Sequence, residues 1–447
     1  MSELTIGTLC LIASLILIQT GMHIGIALML LSFIGVWAIK GILVAGKLLA
    51  SSVSTSIASD AYAVIPLFVL MGLFVSSTNM GRDTFDVAAL ALGRIRGGLG
   101  MATVAANAVF AACTGTTIAS ASVFTKVAVP EMIRHGHTPK FSVGVVAGSS
   151  VLGMLIPPSV LMIIYGVIAN SSIADLFKAG ILPGILLAIA FCVTISLMAS
   201  WKPASVVIDV KALEKSYRGP LEGASASAII LKFLPIVILV GTVLGGIYGG
   251  FLTATEAGGV GALAALLIAL ARREMNWKVF WNVALETGRV TAAICFLLMA
   301  AALYAQMLTL SGLPYTVGQW LQTADLPFLS ILIGYLTVVV ILGCFLDSVS
   351  IMLIVLPFVI PVFESLGVDL IWFGLITIVA IEVGLLTPPL GLAVFVVKAN
   401  LEDQNITTWQ IFMGTMPMTI TMVIVLALCV IFPWLALAPV GVSWSWW

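Results

Sequence analysis

The sequence predicts an all-α polytopic membrane protein made of two inverted repeats, with about ten transmembrane helices and two re-entrant helical hairpins. Three observations predict it. Of 447 residues, 61% are hydrophobic and 9% charged, and the mean hydropathy is +1.22. Soluble domains carry about 25% charged residues, so a chain this apolar needs lipid against its surface. Apolar runs near the spanning length of about 20 residues recur along the whole chain. A proline-containing element also occurs twice, 231 positions apart.

The apolar runs predict spanning helices near 4–20, 23–39, 62–79, 141–170, 180–200, 229–248, 255–271, 290–310, 369–399 and 409–437. No Lys or Arg precedes the run from Leu4 to Ile18, whereas a cleaved signal peptide opens on basic residues. That run reads as a retained helix. Two further apolar stretches, about 100–130 and 326–363, are interrupted near their middles by Cys113 to Ser122 and by Gly343 to Ser350. Each half is short for a crossing, so both stretches read as hairpins that enter and leave on one side. Backbone freed at such a turn must be covered by protein or line a wet cavity.

Gly153-Met-Leu-Ile-Pro157-Pro158 matches Gly384-Leu-Leu-Thr-Pro388-Pro389, and the same offset carries Gly81 to Gly312 and Pro130 to Pro361. The organisation this implies is a first repeat at 1–200, a polar cytoplasmic linker at 201–228 and a second repeat at 229–447. Five crossings per repeat would invert the second copy relative to the first. With the N-terminus outside, only Lys40, Lys47 and Lys178 of the 19 basic residues fall outside, and the rest lie on or toward the cytoplasm. That bias follows the positive-inside rule.

Broken helices in inverted repeats predict binding sites near the bilayer midplane. A half-helix that stops there leaves four unpaired N–H or C=O groups. Its N-terminus favours an anion and its C-terminal carbonyls favour a cation. The first tip, Thr114-Gly115-Thr116-Thr117, supplies hydroxyls and a residue free to turn tightly. Each double proline removes two donors and frees carbonyls one turn earlier. Those carbonyls, with the Ser159 or Thr387 hydroxyl, suit Na⁺. Acids in the membrane are costly and mark sites by default. Asp347 at the second tip reads as a site residue and Glu256 as a helix N-terminal cap or packing residue, while Glu382 stays open between a site and a packing role.

Other chemistry is excluded or weak. Net charge is zero, so nothing in bulk favours nucleic acid. There is no GxxxxGK[ST] phosphate loop and no HExxH. The cysteines Cys10, Cys113, Cys192, Cys295, Cys344 and Cys429 lie in apolar stretches without a CxxC pair and read as small hydrophobes. His135 and His137 read as parts of a solvated loop.

These motifs resemble the large membrane subunit of tripartite ATP-independent periplasmic (TRAP) transporters. The carrying stretches are Ile65 to Gly72, Val129 to Arg134, Leu152 to Ser159, Thr255-Glu-Ala257, Gly343 to Asp347 and Gly384 to Gly391. The resemblance implies an elevator-type transporter of the bacterial inner membrane, with no cofactor and with Na⁺ as coupling ion. It implies a small four-helix membrane subunit and a periplasmic substrate-binding protein as partners, and an organic acid (carboxylate) as substrate. The substrate-binding expectation falls on Thr114, Thr116, Thr117, Ser159, Asp347 and Ser348. The sodium-binding expectation falls on Gly115, Gly153, Pro157, Pro158, Gly343, Gly384, Thr387, Pro388 and Pro389. The first tip departs from the family's common Ser-Gly-Ser, and Ala393 stands where an Asn is frequent. Two alternatives stand beside this reading: a related Na⁺/carboxylate symporter that works without a binding protein, and, more distantly, an intramembrane enzyme.

Overall fold

The computed structural model describes residues 2–208, 221, 225–324, 326–402 and 405–441. Most of the expected linker, with Lys211, Lys215 and Arg218, lies outside the described residues, as do 442–447.

The described chain is helical apart from its connections. The first half runs α1 (Glu3–Gln19), α2 (Ile24–Lys40), α3 (Ile42–Ile57), α4 (Val64–Ser76), α5 (Met80–Leu92), α6 (Gly98–Thr114), α7 (Thr117–Arg134), α8 (Pro139–Ser150), α9 (Leu152–Leu155), α10 (Val160–Ile168), α11 (Ile173–Trp201) and α12 (Pro203–Val206). The second half runs α13 (Ala226–Tyr248), α14 (Ala254–Ala271), α15 (Trp277–Ser311), α16 (Leu313–Thr323), α17 (Phe328–Gly343), α18 (Ser348–Ser365), α19 (Leu370–Leu385), α20 (Leu392–Asn400), α21 (Thr408–Ile431) and α22 (Trp434–Leu437).

The order of elements recurs. Helices α7 and α18 are both 18 residues long, and they start 231 positions apart, as do α8 and α19. The pattern breaks at Val151, where α8 and α9 part while α19 runs on, and more sharply in the third element. The segments 42–57 and 60–76 meet at a 52° bend, while their counterpart α15 is a single rod of 35 residues. The bend follows the run Ser51-Ser-Val-Ser-Thr-Ser56, whose hydroxyls compete for helix carbonyls. Ser54 Oγ, for example, donates to Ala50 O at 2.8 Å.

Among the described residues, six helices are individually long and apolar enough to cross a membrane: α11, α13, α14, α15, α18 and α21. Two bent pairs, α3 with α4 and α8–α9 with α10, raise the number to eight. Helices α1 and α2, at 17 residues, fall just short of that length. Apolar side chains stud their outward faces, among them Leu9, Ile12, Ile16, Ile26, Leu30 and Ile34.

Several expected boundaries move. The serine run hid α3 from a hydropathy reading. The short amphipathic helices α5 and α16 carry too many polar residues to read as spans. Helix α15 begins at Trp277 rather than near 290, because Asn282, Glu286 and Arg289 interrupt its apolar run. The expected helix 369–399 is split at 386–391, and α21 ends at Ile431, before Pro433. The start of the linker is not a solvated tail. Val206 and Val207 are buried, and Thr138 N donates to Val206 O at 2.9 Å while Ile208 N donates to Gly136 O at 2.9 Å. His137 is buried there too, stacked on Phe141, contrary to the solvated loop expected. Apolar neighbours on both sides account for it.

Candidate functional site

Both interrupted stretches fold back as helical hairpins. In the first, Thr103 near the start of α6 donates to Met132 Sδ near the end of α7 at 3.5 Å, and Phe110 meets Phe124 edge-on at 5.5 Å. In the second, the Phe363 ring of α18 lies 6.4 Å from Phe328 and 5.3 Å from Tyr335 of α17. The ends of each hairpin therefore share a side.

The first tip turns at Gly115, whose φ of 63° is left-handed and favours glycine. Thr116 then caps α7, its hydroxyl accepting from Ala119 N at 3.3 Å. The first double-proline break rests on this tip. Val160 N donates to Gly115 O at 3.1 Å, and a Cβ on Gly153 would lie 2.6 Å from Thr116 O. Ser159 caps α10 and donates to Met154 O at 2.6 Å, one of the carbonyls the prolines leave without an amide donor. Thr114, Thr117, Ser159, Pro157 and Pro158 are all buried.

The second tip is built alike but stands more open. Asp347 caps α18, taking the Ser350 amide at 3.2 Å and also the Ser350 hydroxyl. Leu390 N donates to Cys344 O at 3.1 Å, which seats the second break on the tip. Thr387 Oγ1 donates to Val383 O at 2.8 Å. Pro388 and Pro389 are exposed, and Asp347 and Thr387 are half-buried. A cavity of about 220 Å³ opens here, lined by Gly343, Asp347, Leu390, Gly391 and neighbours.

The sequence-derived residues thus fall into two clusters. The first joins 114–117 to 153–159, and the second joins 343–348 to 384–389. What links the clusters is Glu382 of α19, whose role the sequence left open. Its carboxylate accepts from Thr117 Oγ1 at 2.9 Å and from Ser348 Oγ at 3.2 Å. A second link runs from Ser122 Oγ to Asn400 Oδ1 at 2.9 Å. Behind the first tip, Asn107 ties α6 to α7 through Ser120 (2.6 Å) and to α8 through Ser149 (2.5 Å). The signal for Asn107 was present: an amide inside an apolar helix needs partners. Glu256 has a helix-end role: Thr253 is the N-cap of α14 and Glu256, three residues on, completes a reciprocal capping box with it.

A wider cavity of about 870 Å³ lies elsewhere, between the α3–α4 bend, α10, α15 and α18. Ser56, Ser59, Tyr62, Asn170, Thr309 and Glu364 supply polar groups to its wall, and neither hairpin tip lines it.

Comparison with known proteins agrees with this architecture. The family model for the DctM component of the tripartite ATP-independent periplasmic transporter matches residues 11–435. The chain is 35% identical over 339 residues to the C4-dicarboxylate TRAP transporter large permease protein DctM of Pseudomonas aeruginosa, covering 75% of this chain and 76% of that one. It is 30% identical over 371 residues to the sialic acid TRAP transporter large permease protein SiaM of Vibrio cholerae, covering 83% of each. Among solved structures, the YdaH transporter of Alcanivorax borkumensis shares the fold, with a TM-score of 0.62 and 13% identity over 89% of this chain and 90% of that one. The two TRAP relatives are transporter permeases, not enzymes, and a family match over nearly the full length of the chain settles the assignment: it belongs to the DctM component family of tripartite ATP-independent periplasmic transporters.

Proposed function

We propose that this large permease subunit, a multi-pass protein of the inner membrane, imports an organic acid by coupling it to Na⁺. It receives the acid from a periplasmic binding protein and works beside a small four-helix membrane subunit. The observation that carries the reading is the seating of each hairpin tip on its own double-proline break. Half-helix ends and proline-freed carbonyls then converge twice, and these are the groups a desolvated cation and a carboxylate require. The named relatives transport a C4-dicarboxylate and sialic acid, which supports a carboxylate cargo here.

In this reading Gly115, Gly153, Pro157 and Pro158 form one Na⁺ cradle. Gly343, Gly384, Thr387, Pro388 and Pro389 form the other. Thr114, Thr116, Thr117, Ser159, Asp347 and Ser348 face the cargo in the loaded state. The second half is inverted relative to the first, and the hairpins move together as an elevator against the rest. Each net positive charge carried inward releases about 2.3 kcal/mol per 100 mV of membrane potential, so the potential drives accumulation when the Na⁺ ions outnumber the negative charges of the cargo.

The test is uptake into proteoliposomes that contain the small subunit and are supplied with the binding protein, with and without a Na⁺ gradient. Asp347→Ala and Thr387→Ala should each cut Na⁺-driven uptake at least tenfold while inserting normally. Asp347→Asn, which keeps a helix cap, separates loss of charge from loss of the cap. Uptake that ignores the Na⁺ gradient would sink the coupling, and wild-type rates in both alanine variants would remove those residues from the site.

A further inference from the structure

Glu382 lies in α19, where every side chain from Trp372 to Leu385 is buried, and it is itself 1% exposed. Its two oxygens divide their work. Oε2 takes the Thr117 hydroxyl and Oε1 takes the Ser348 hydroxyl. Thr117 is the first residue of α7 and Ser348 the first of α18, and the two occupy equivalent positions 231 apart. A helix N-terminus carries roughly half a positive charge on its unpaired N–H groups. The carboxylate therefore stands where two such ends converge, and among the described residues no Lys, Arg or His forms a salt bridge with it. The equivalent position in the first half is Val151, fully buried. One carboxylate thus serves a symmetric pair of hydroxyls.

We propose that Glu382 is the positioning residue of the two hairpins. Its carboxylate couples α7 to α18, so that loosening one tip loosens the other, and it holds the two half-helix N-termini at a fixed separation across the site. The role deepens the transport reading above, because it makes the hairpins one mechanical unit, yet it does not depend on which ion drives transport.

Hydrogen exchange read by mass spectrometry on the full chain in lipid nanodiscs tests it. The readout is protection in peptides covering 117–125 and 348–356. Thr117→Val should speed exchange about tenfold or more in 348–356, and Ser348→Ala should do the same in 117–125. Glu382→Gln should loosen both segments, and in that background Thr117→Val should add nothing at 348–356. A Thr117→Val effect confined to 117–125 overturns the proposal, since a local structural role predicts that result. Should Glu382→Gln fail to insert, the two hydroxyl variants decide the matter alone. A parallel titration with NaCl against choline chloride keeps the two readings apart. If Na⁺ protects neither tip of the wild type, the sodium reading fails, while cross-talk between Thr117 and Ser348 still stands or falls by itself.

Discussion

A Cβ added to Gly384 would lie 2.6 Å from the Cα of Gly343, backbone against backbone across α19 and α17. No side-chain rotation relieves such a contact. Gly384→Ala should therefore cost about 1–3 kcal/mol through overpacking and separate the second break from its tip. Gly334→Ala, in the same hairpin with open space around it, should be neutral or slightly stabilising. Thermal unfolding of both variants in detergent checks the contrast, and equal losses would contradict it.

Asp83 carries two cations. Lys232 Nζ lies 3.0 Å from its Oδ1 and Arg272 bonds its Oδ2, while Asp86 also takes Lys232 at 2.8 Å. Asp83 is buried and its partners are only partly exposed, so this network joins α5 to α13 and the end of α14 with little screening. Asp83→Asn should destabilise by about 1–3 kcal/mol. The more exposed pair Asp175–Lys178 should lose under about 0.5 kcal/mol on Asp175→Asn. The difference in unfolding midpoint between the two variants is the measurement.

His137 makes the contact between the α7–α8 loop and 206–208 sensitive to acid. Burial lowers its imidazole from 6.5 to about 4, and neighbouring His135 pushes the same way against the Met132 carbonyl. Its Nε2 is buried with no hydrogen-bond partner. Between pH 6.5 and about 4 the unfolded chain binds a proton that the folded chain refuses. Stability is therefore lost as pH falls through that window, by on the order of 3 kcal/mol at its lower end. His137→Gln should flatten this part of the pH–stability curve, and an unchanged acid slope would contradict the prediction.

Tyr165 Oη donates to Leu370 O at 2.6 Å, joining α10 of the first half to the start of α19 in the second. Leu370 O keeps its own helix amide, so Tyr165→Phe loses only this added bond and should cost about 1 kcal/mol. Gly374→Ala should cost more, because its Cβ would meet the Tyr165 ring at 2.4 Å. Combining the two should give less than the sum, since both act on one ring.

Much of this was legible in the sequence because its signals are local. Paired prolines after Gly153 and Gly384 announce helix breaks wherever they occur, and Thr114-Gly115-Thr116 announces a turn flanked by caps. The hidden parts depend on partners far along the chain. Thr117 and Glu382 are 265 residues apart, and nothing at either position names the other. Helix α3 was missed because serines lower hydropathy without preventing a helix. His137 was misjudged because its burial depends on Val206 and Val207, which lie in what read as a polar linker.

The bend at Ala58 sets the first half apart from the second, which the matching spacing of their elements conceals. A protein assembled from two copies of residues 1–200 would have two kinked arms, no 35-residue strut and, with Val151 in both halves, no acid to bridge its tips. The two halves are therefore not interchangeable parts.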